Sequence, residues 1–111
     1  ILEMMQQYHP NTRIIVMSPP YAFSSERDEN GNYVSSDIVK YNGSALSEFA
    51  IQEAYICGQM QITFVDNIYG TFNENNASDY LTDNLHLNAE GRRKVAEHLV
   101  EAINYYNSFY E

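Results

Sequence analysis

Two short apolar runs constrain this chain more than anything else in it. Arg13-Ile14-Ile15-Val16-Met17-Ser18 and Gln61-Ile62-Thr63-Phe64-Val65-Asp66 are rich in β-branched residues and lack a regular polar alternation. Such continuous runs suit strands covered on both faces, as in parallel sheets. Between them, from about Ser44 to Cys57, residues Leu46, Phe49, Ala50, Ala54 and Cys57 recur at helical spacing. They predict a helix with those side chains inward, Ser44 as its N-cap and Gly58 as its end. Strand, helix and second strand imply a right-handed parallel crossover in an α/β layer fold.

The remaining segments fit around that unit. Ile1 to about Tyr8 reads as the end of a helix with Leu2 and Met5 on one face, stopped by His9-Pro10-Asn11, because the residue before proline avoids helical angles. Pro19-Pro20 ends the first strand, and residues 19–43 form a long polar connection. Within it, Glu29-Asn30-Gly31-Asn32-Tyr33-Val34 has the composition of a tight hairpin turn. Residues 67–82 read as an Asn-rich loop carrying Tyr69, Phe72 and Tyr80. A last helix from about Asn88 to Tyr106 places Val95, Leu99, Ala102, Ile103 and Tyr106 on one face. Tyr105, Tyr106, Phe109 and Tyr110 are expected to pack the chain end onto the domain.

Two strands make a poor sheet, since each leaves an unpaired edge. Further strands are therefore expected from elsewhere. The chain opens on Ile1-Leu2-Glu3 as though in mid-helix, and residues 1–111 read as one partial domain. No internal repeat or linker interrupts it.

Composition narrows the function classes. The net charge is -9 with six basic residues, of which Arg92, Arg93 and Lys94 are contiguous. That leaves no broad basic surface for nucleic acid or an anionic membrane. A neutral or cationic small substrate fits better. No apolar run reaches membrane-span length, and no signal peptide is visible, which leaves the compartment open, secretion and the periplasm included. Cys57 is the sole cysteine, so the chain can form no internal disulfide and no thiolate metal cluster. Among apolar neighbours it reads as a small buried hydrophobe.

The stretch with chemistry in it is Asp83-Asn84-Leu85-His86-Leu87-Asn88-Ala89-Glu90-Gly91, which runs into the last helix. A carboxylate three residues before an imidazole can fold back onto one ring nitrogen and leave the other free to take a proton. Asn84 between them suits a left-handed turn position. Asn88 can cap the helix, and Gly91 can let its first turn approach neighbouring backbone. An Asp-x-x-His pair alone arises by chance in roughly one chain in ten of this length, so turn formation and packing are the plain alternative. The continuation into a terminal helix, after two parallel-type strands, favours the functional reading.

This block resembles the last motif of the SGNH (GDSL-type) esterases and lipases, which carries the catalytic Asp and His just before the C-terminal helix. Ile14-Ile15-Val16-Met17-Ser18-Pro19-Pro20 resembles that family's penultimate core strand and following loop, and Ile62-Thr63-Phe64-Val65-Asp66 its final strand. The resemblance covers nearly the whole chain but only the C-terminal half of the family's fold. It implies the C-terminal portion of a flavodoxin-like, three-layer α/β/α hydrolase with parallel strands. It further implies Asp83 as orienting acid, His86 as base, no metal or organic cofactor, and an acyl ester of a sugar or a lipid as substrate. The family's Gly-Asp-Ser nucleophile block, its oxyanion-hole Gly and its Gly-x-Asn-Asp block have no counterpart here. Leu87 stands where the family often has Pro. The isolated chain is therefore expected to be inactive, its partner being the missing N-terminal part of the domain or a second chain.

Other candidates are weaker. No serine sits in a nucleophile elbow; Ser18, at the end of the first strand, is topologically nearest to a crevice at the sheet's carboxyl edge. Glu26-x-Asp28-x-Asn30-Gly31 followed by Asp37 has the outline of a calcium loop, but a surface hairpin explains it better. His9 reads as a turn residue and His98 as part of the last helix's polar face, neither as a ligand. Arg92, Arg93 and Lys94 read as a solvated face, with contact to substrate or a partner chain as the alternative. The competing hypothesis for the whole chain is a non-catalytic binding or structural α/β module; a calcium-dependent extracellular module is a third.

Overall fold

The computed structural model describes residues 1–108. Its elements in order are α1 (Leu2–Tyr8), β1 (Ile15–Met17), β2 (Phe23–Arg27), β3 (Tyr33–Ser35), α2 (Leu46–Met60), β4 (Thr63–Val65), α3 (Asn67–Gly70), a 3-10 turn (Ala77–Asp79) and α4 (Ala89–Asn107). β1 and β4 pair in parallel, with Ile15 opposite Thr63, Val16 opposite Phe64 and Met17 opposite Val65. The two apolar runs therefore pair as parallel strands with α2 crossing between them, but Ile15, Val16, Met17, Thr63 and Phe64 are only half-buried, not covered on both faces as expected. The fold is α/β with a parallel strand pair. α2 turns Ala50 and Cys57 inward, and burial pushes the Cys57 thiol up from its ordinary value.

The connection after β1 carries an antiparallel hairpin. β2 pairs with β3, Phe23 opposite Ser35 and Arg27 opposite Tyr33. Asp28 Oδ1 accepts the Asn30 and Asn32 N–H groups at 2.9 and 3.0 Å. Gly31 adopts φ +80°, an angle that needs a residue without Cβ constraint. The calcium-like outline is thus used as a turn. The Arg27 guanidinium lies 4.2 Å over the Tyr33 ring and donates to its hydroxyl at 2.9 Å.

Several boundaries differ from expectation. α2 starts at Leu46 rather than Ser44, because Ser44 pairs with Tyr41 in a β-bridge and Ala45 becomes the cap. It passes through Gly58 and ends where Gln61 turns left-handed at φ 58°. Phe49, expected inside, is 42% exposed. The Asn-rich loop contains α3 and the 3-10 turn. Asp66 caps α3 through Oδ1, which accepts the Ile68 and Tyr69 N–H groups. Tyr105 is largely exposed and meets Tyr106 edge-on at 5.5 Å, while Phe109 and Tyr110 lie outside the described residues.

The buried cluster is also not where the strand pattern pointed. Tyr21, Phe72, Ala77 and Leu81 form it, with Phe23, Tyr80 and Leu87 packed against them. Phe72 and Tyr80 stack at 5.0 Å, and Tyr21 meets Phe23 edge-on at 5.4 Å. These residues come from segments that look polar in sequence. They converge beneath the loop that leads into α4.

Candidate acid–base site

α4 begins where a tight reversal of the chain is fastened on both sides. Leu81 and Leu87 form an antiparallel bridge. The Thr82 N–H donates to the His86 carbonyl at 2.8 Å, and its hydroxyl to the same oxygen at 3.2 Å. The Asn88 N–H donates to the Tyr80 carbonyl at 2.9 Å, its Nδ2 donates to the Asp79 carbonyl, and its Oδ1 caps α4 by accepting the Gly91 N–H at 2.8 Å. Gly91 sits so close to the preceding chain that a Cβ there would lie 2.2 Å from the Tyr80 carbonyl oxygen. Capping and a missing side chain together set α4 against residues 80–87.

Asp83 and His86 stand on this reversal. Asp83 Oδ1 accepts two backbone donors, Leu85 N–H at 2.8 Å and His86 N–H at 2.7 Å. Its other oxygen, Oδ2, lies 2.8 Å from His86 Nδ1. The His86 N–H, then the Leu85 N–H, then the imidazole contact hold the Asp83 carboxyl at about 2, below its ordinary 3.8. At neutral pH the carboxylate is therefore ionised and can only accept. Nδ1 must carry the proton of this contact, so in the neutral ring Nε2 presents its lone pair outward. The ring is open to solvent, with 74% of the side chain exposed. Among the described residues, no hydroxyl hydrogen-bonds to Nε2.

The structure thus brings together the two residues picked out in the sequence, and it changes the role of the residue between them. Asn84 is not left-handed; only Asn42 and Gln61 among the described non-glycine residues have positive φ. Its carbonyl accepts the Phe23 N–H at 2.8 Å and its Nδ2 donates to the Phe23 carbonyl at 3.3 Å. That contact joins the loop to the start of β2, 61 residues earlier in the chain, which no local pattern signals. Thr82, which ties down the carbonyl of His86, also went unnoticed in the sequence; a hydroxyl just before Asp-x-x-His was the available signal.

Ser18 is buried and fully engaged. Its Oγ accepts the Asn67 N–H at 2.8 Å and lies 3.4 Å from Asp66 Oδ1, to which it can donate. Asn67, itself 1% exposed, donates through Nδ2 to the Ser18 carbonyl at 3.0 Å, and its Oδ1 faces His98 Nδ1 at 2.8 Å. Ser18 and Asn67 thus knit β1 to α3, and His98 docks α4 upon them. His98 accordingly packs half-buried against α3, over Gly70, where a Cβ would come within 2.5 Å of the ring. Arg93 pairs with Glu90 and, at 3.2 Å, with Glu97. Two carboxylates thereby offset the cost of a cation in the first turns of α4. Among the described residues, no three His, Cys, Asp or Glu side chains are arranged to hold a metal ion.

Two surface grooves of about 520 and 540 Å³ lie elsewhere. One runs along Gln6, His9, Arg13 and Gln61; the other lies between β4 and α4, beside Tyr69 and Tyr105. Asp83 and His86 line neither. No helix of the described residues is long and apolar enough to cross a membrane.

Neither a protein-family model nor a curated protein matches the chain. A solved structure does: the crystal structure of a possible lipase from Chitinophaga pinensis, at 21% identity and a TM-score of 0.68. The match covers 96% of this chain and 58% of that one, so the chain spans somewhat over half that protein's length. At this identity the likeness is one of fold: the chain shares the α/β fold of part of that protein.

Proposed function

We propose that this chain carries the acid–base pair of a carboxylic ester hydrolase of the SGNH (GDSL) type, working through a serine acyl-enzyme. The observation that supports it best is the double use of the Asp83 carboxylate. One oxygen is locked by two backbone donors, the other aims at His86 Nδ1, and Nε2 is left free. In this reading His86 Nε2 takes the proton of a serine hydroxyl as it attacks the ester carbonyl. It then passes that proton to the departing alcohol, and in the second half draws a proton from water. Asp83 keeps Nδ1 protonated and stabilises the imidazolium. The nucleophile and the oxyanion donors belong to the remainder of the domain or to a second chain. The reading needs no metal or cofactor. The substrate is an acyl ester of a sugar or a lipid, and the net charge of -9 leans toward a neutral sugar ester.

The test has two parts. The 111-residue chain alone should show no saturable turnover of an activated aryl ester. Saturable turnover lost in His86→Ala would place the nucleophile inside this chain. A longer protein in which a strand and a Gly-Asp-Ser segment precede these residues should be active; such a protein, folded yet inert toward aryl and sugar esters, would end the esterase reading. One observation favours a second reading, a non-catalytic binding or structural module: His86 stands on open surface, outside both grooves. There Asp83 and His86 would simply close a turn, and substituting them would leave the longer protein's activity unchanged.

A further inference from the structure

We propose that Asn84 is a positioning residue, which ties the acid–base loop to the β2–β3 hairpin and so keeps the loop in one conformation. The proposal rests on reading His86 as the base. The Phe23 N–H donates to the Asn84 carbonyl at 2.8 Å, and Asn84 Nδ2 donates back to the Phe23 carbonyl at 3.3 Å. Two bonds between the same two residues fix rotation as well as distance, where one would leave a pivot. Asn84 is half-buried and lies between the acid and the base.

The far side of this tether is itself anchored. The Phe23 ring meets Tyr21 edge-on at 5.4 Å and stacks on Tyr33 at 6.4 Å. Tyr21 is buried, and its hydroxyl lies 2.7 Å from Ser35 Oγ on β3. Phe23 also packs on the cluster of Tyr21, Phe72, Ala77 and Leu81, which Leu87 meets from below the loop. The loop therefore has two supports. The start of α4 holds it through Asn88, and the hairpin holds it through Asn84. The bonds of Asp83 set the ring against its own loop; the second support sets the middle of that loop, between Asp83 and His86, against the hairpin.

The experiment uses the 111-residue chain, ¹⁵N-labelled. Backbone relaxation reports the order of the His86 N–H, and ring ¹⁵N shifts report its tautomer. Three variants are compared: Asn84→Ala removes the side-chain bond, Phe23→Pro removes the N–H donor, and Phe23→Ala removes the ring while keeping that donor. Wild type should show an order parameter of about 0.85 at His86, falling below about 0.6 in Asn84→Ala and in Phe23→Pro. The ratio of Nδ1–H to Nε2–H tautomer should fall roughly two- to tenfold in the same two variants. Unchanged His86 order in Asn84→Ala overturns the proposal, as does a Phe23→Ala that matches Phe23→Pro, since packing would then hold the loop. If Phe23→Pro unfolds, as judged by the amide signals of α2, Asn84→Ala alone decides. Asp83→Asn separates the two levels of inference. A tautomer ratio unmoved by it removes the acid–base pair, while the order of His86 still judges the tether.

Discussion

Replacing a helical glycine by alanine should have opposite signs at two places in this chain. Gly58 lies inside α2, and a Cβ there meets nothing within 4 Å. Gly58→Ala should stabilise by about 0.8–1.0 kcal/mol, the difference in helix propensity. Gly91 lies in the first turn of α4. A Cβ there would sit 2.2 Å from the Tyr80 carbonyl oxygen, 3.1 Å from its carbonyl carbon and 3.0 Å from Leu87 Cδ2. The leucine can rotate, but the carbonyl cannot, because the Asn88 N–H is bonded to it at 2.9 Å. Overpacking of this kind costs about 1–3 kcal/mol, and contact with fixed backbone puts it at the upper end. Set against the same propensity gain, Gly91→Ala should destabilise by about 2 kcal/mol. That is a fall in Tm of roughly 8 °C or more. Urea and thermal unfolding followed by far-ultraviolet circular dichroism would read both. A Gly91→Ala variant as stable as wild type would mean that α4 does not approach Tyr80 this closely, and the placement of the whole loop would fall with it.

Other outcomes follow from the same geometry. If the pair serves an ester hydrolase as proposed, Asp83→Asn in that enzyme should lower kcat on the order of 10⁴-fold by disturbing the ring tautomer; a loss under tenfold would remove Asp83 as the orienting group. The Asp83 carboxyl carbon should titrate at about 2 in the folded chain. Because that lies below its ordinary 3.8, its contribution to stability is complete above the ordinary value and is lost as pH falls toward 2; a midpoint near 3.8 would show that the two backbone bonds are not made. Asn67→Ala should cost about 2–4 kcal/mol in urea unfolding, since it strands the Ser18 carbonyl and His98 at a buried contact; a change under about 0.5 kcal/mol would mean that the network is not formed.

The parallel pair and its crossover were legible because continuous apolar runs have few other homes. Asp83 and His86 were legible because their contact is local: three residues of spacing carry the whole geometry. What the sequence hid was long-range. Phe72, Tyr21 and Tyr80 sit in stretches dense with Asn and Ser, and only the folding of two distant loops onto each other makes them a core. His98 reads as part of a polar face until Asn67, placed after β4 by its Asp66 cap, meets it. Asn84 misled for a related reason: a residue tolerant of left-handed angles was available, but a distant strand end claimed its amide. Gly58 misled as punctuation, because a glycine next to solvent merely weakens a helix, and the turn to β4 fell to Gln61 instead.

The Asp83 carboxylate has one further consequence. Asp83, His86 and the amides that lock the carboxylate all lie within four consecutive positions. In the proposed reading the pair is a local unit, assembled by the same bonds that close its turn, while Asn84 and Asn88 fix where that unit stands. In a split hydrolase it would arrive at its serine already tuned, leaving the encounter of the two pieces to supply only alignment.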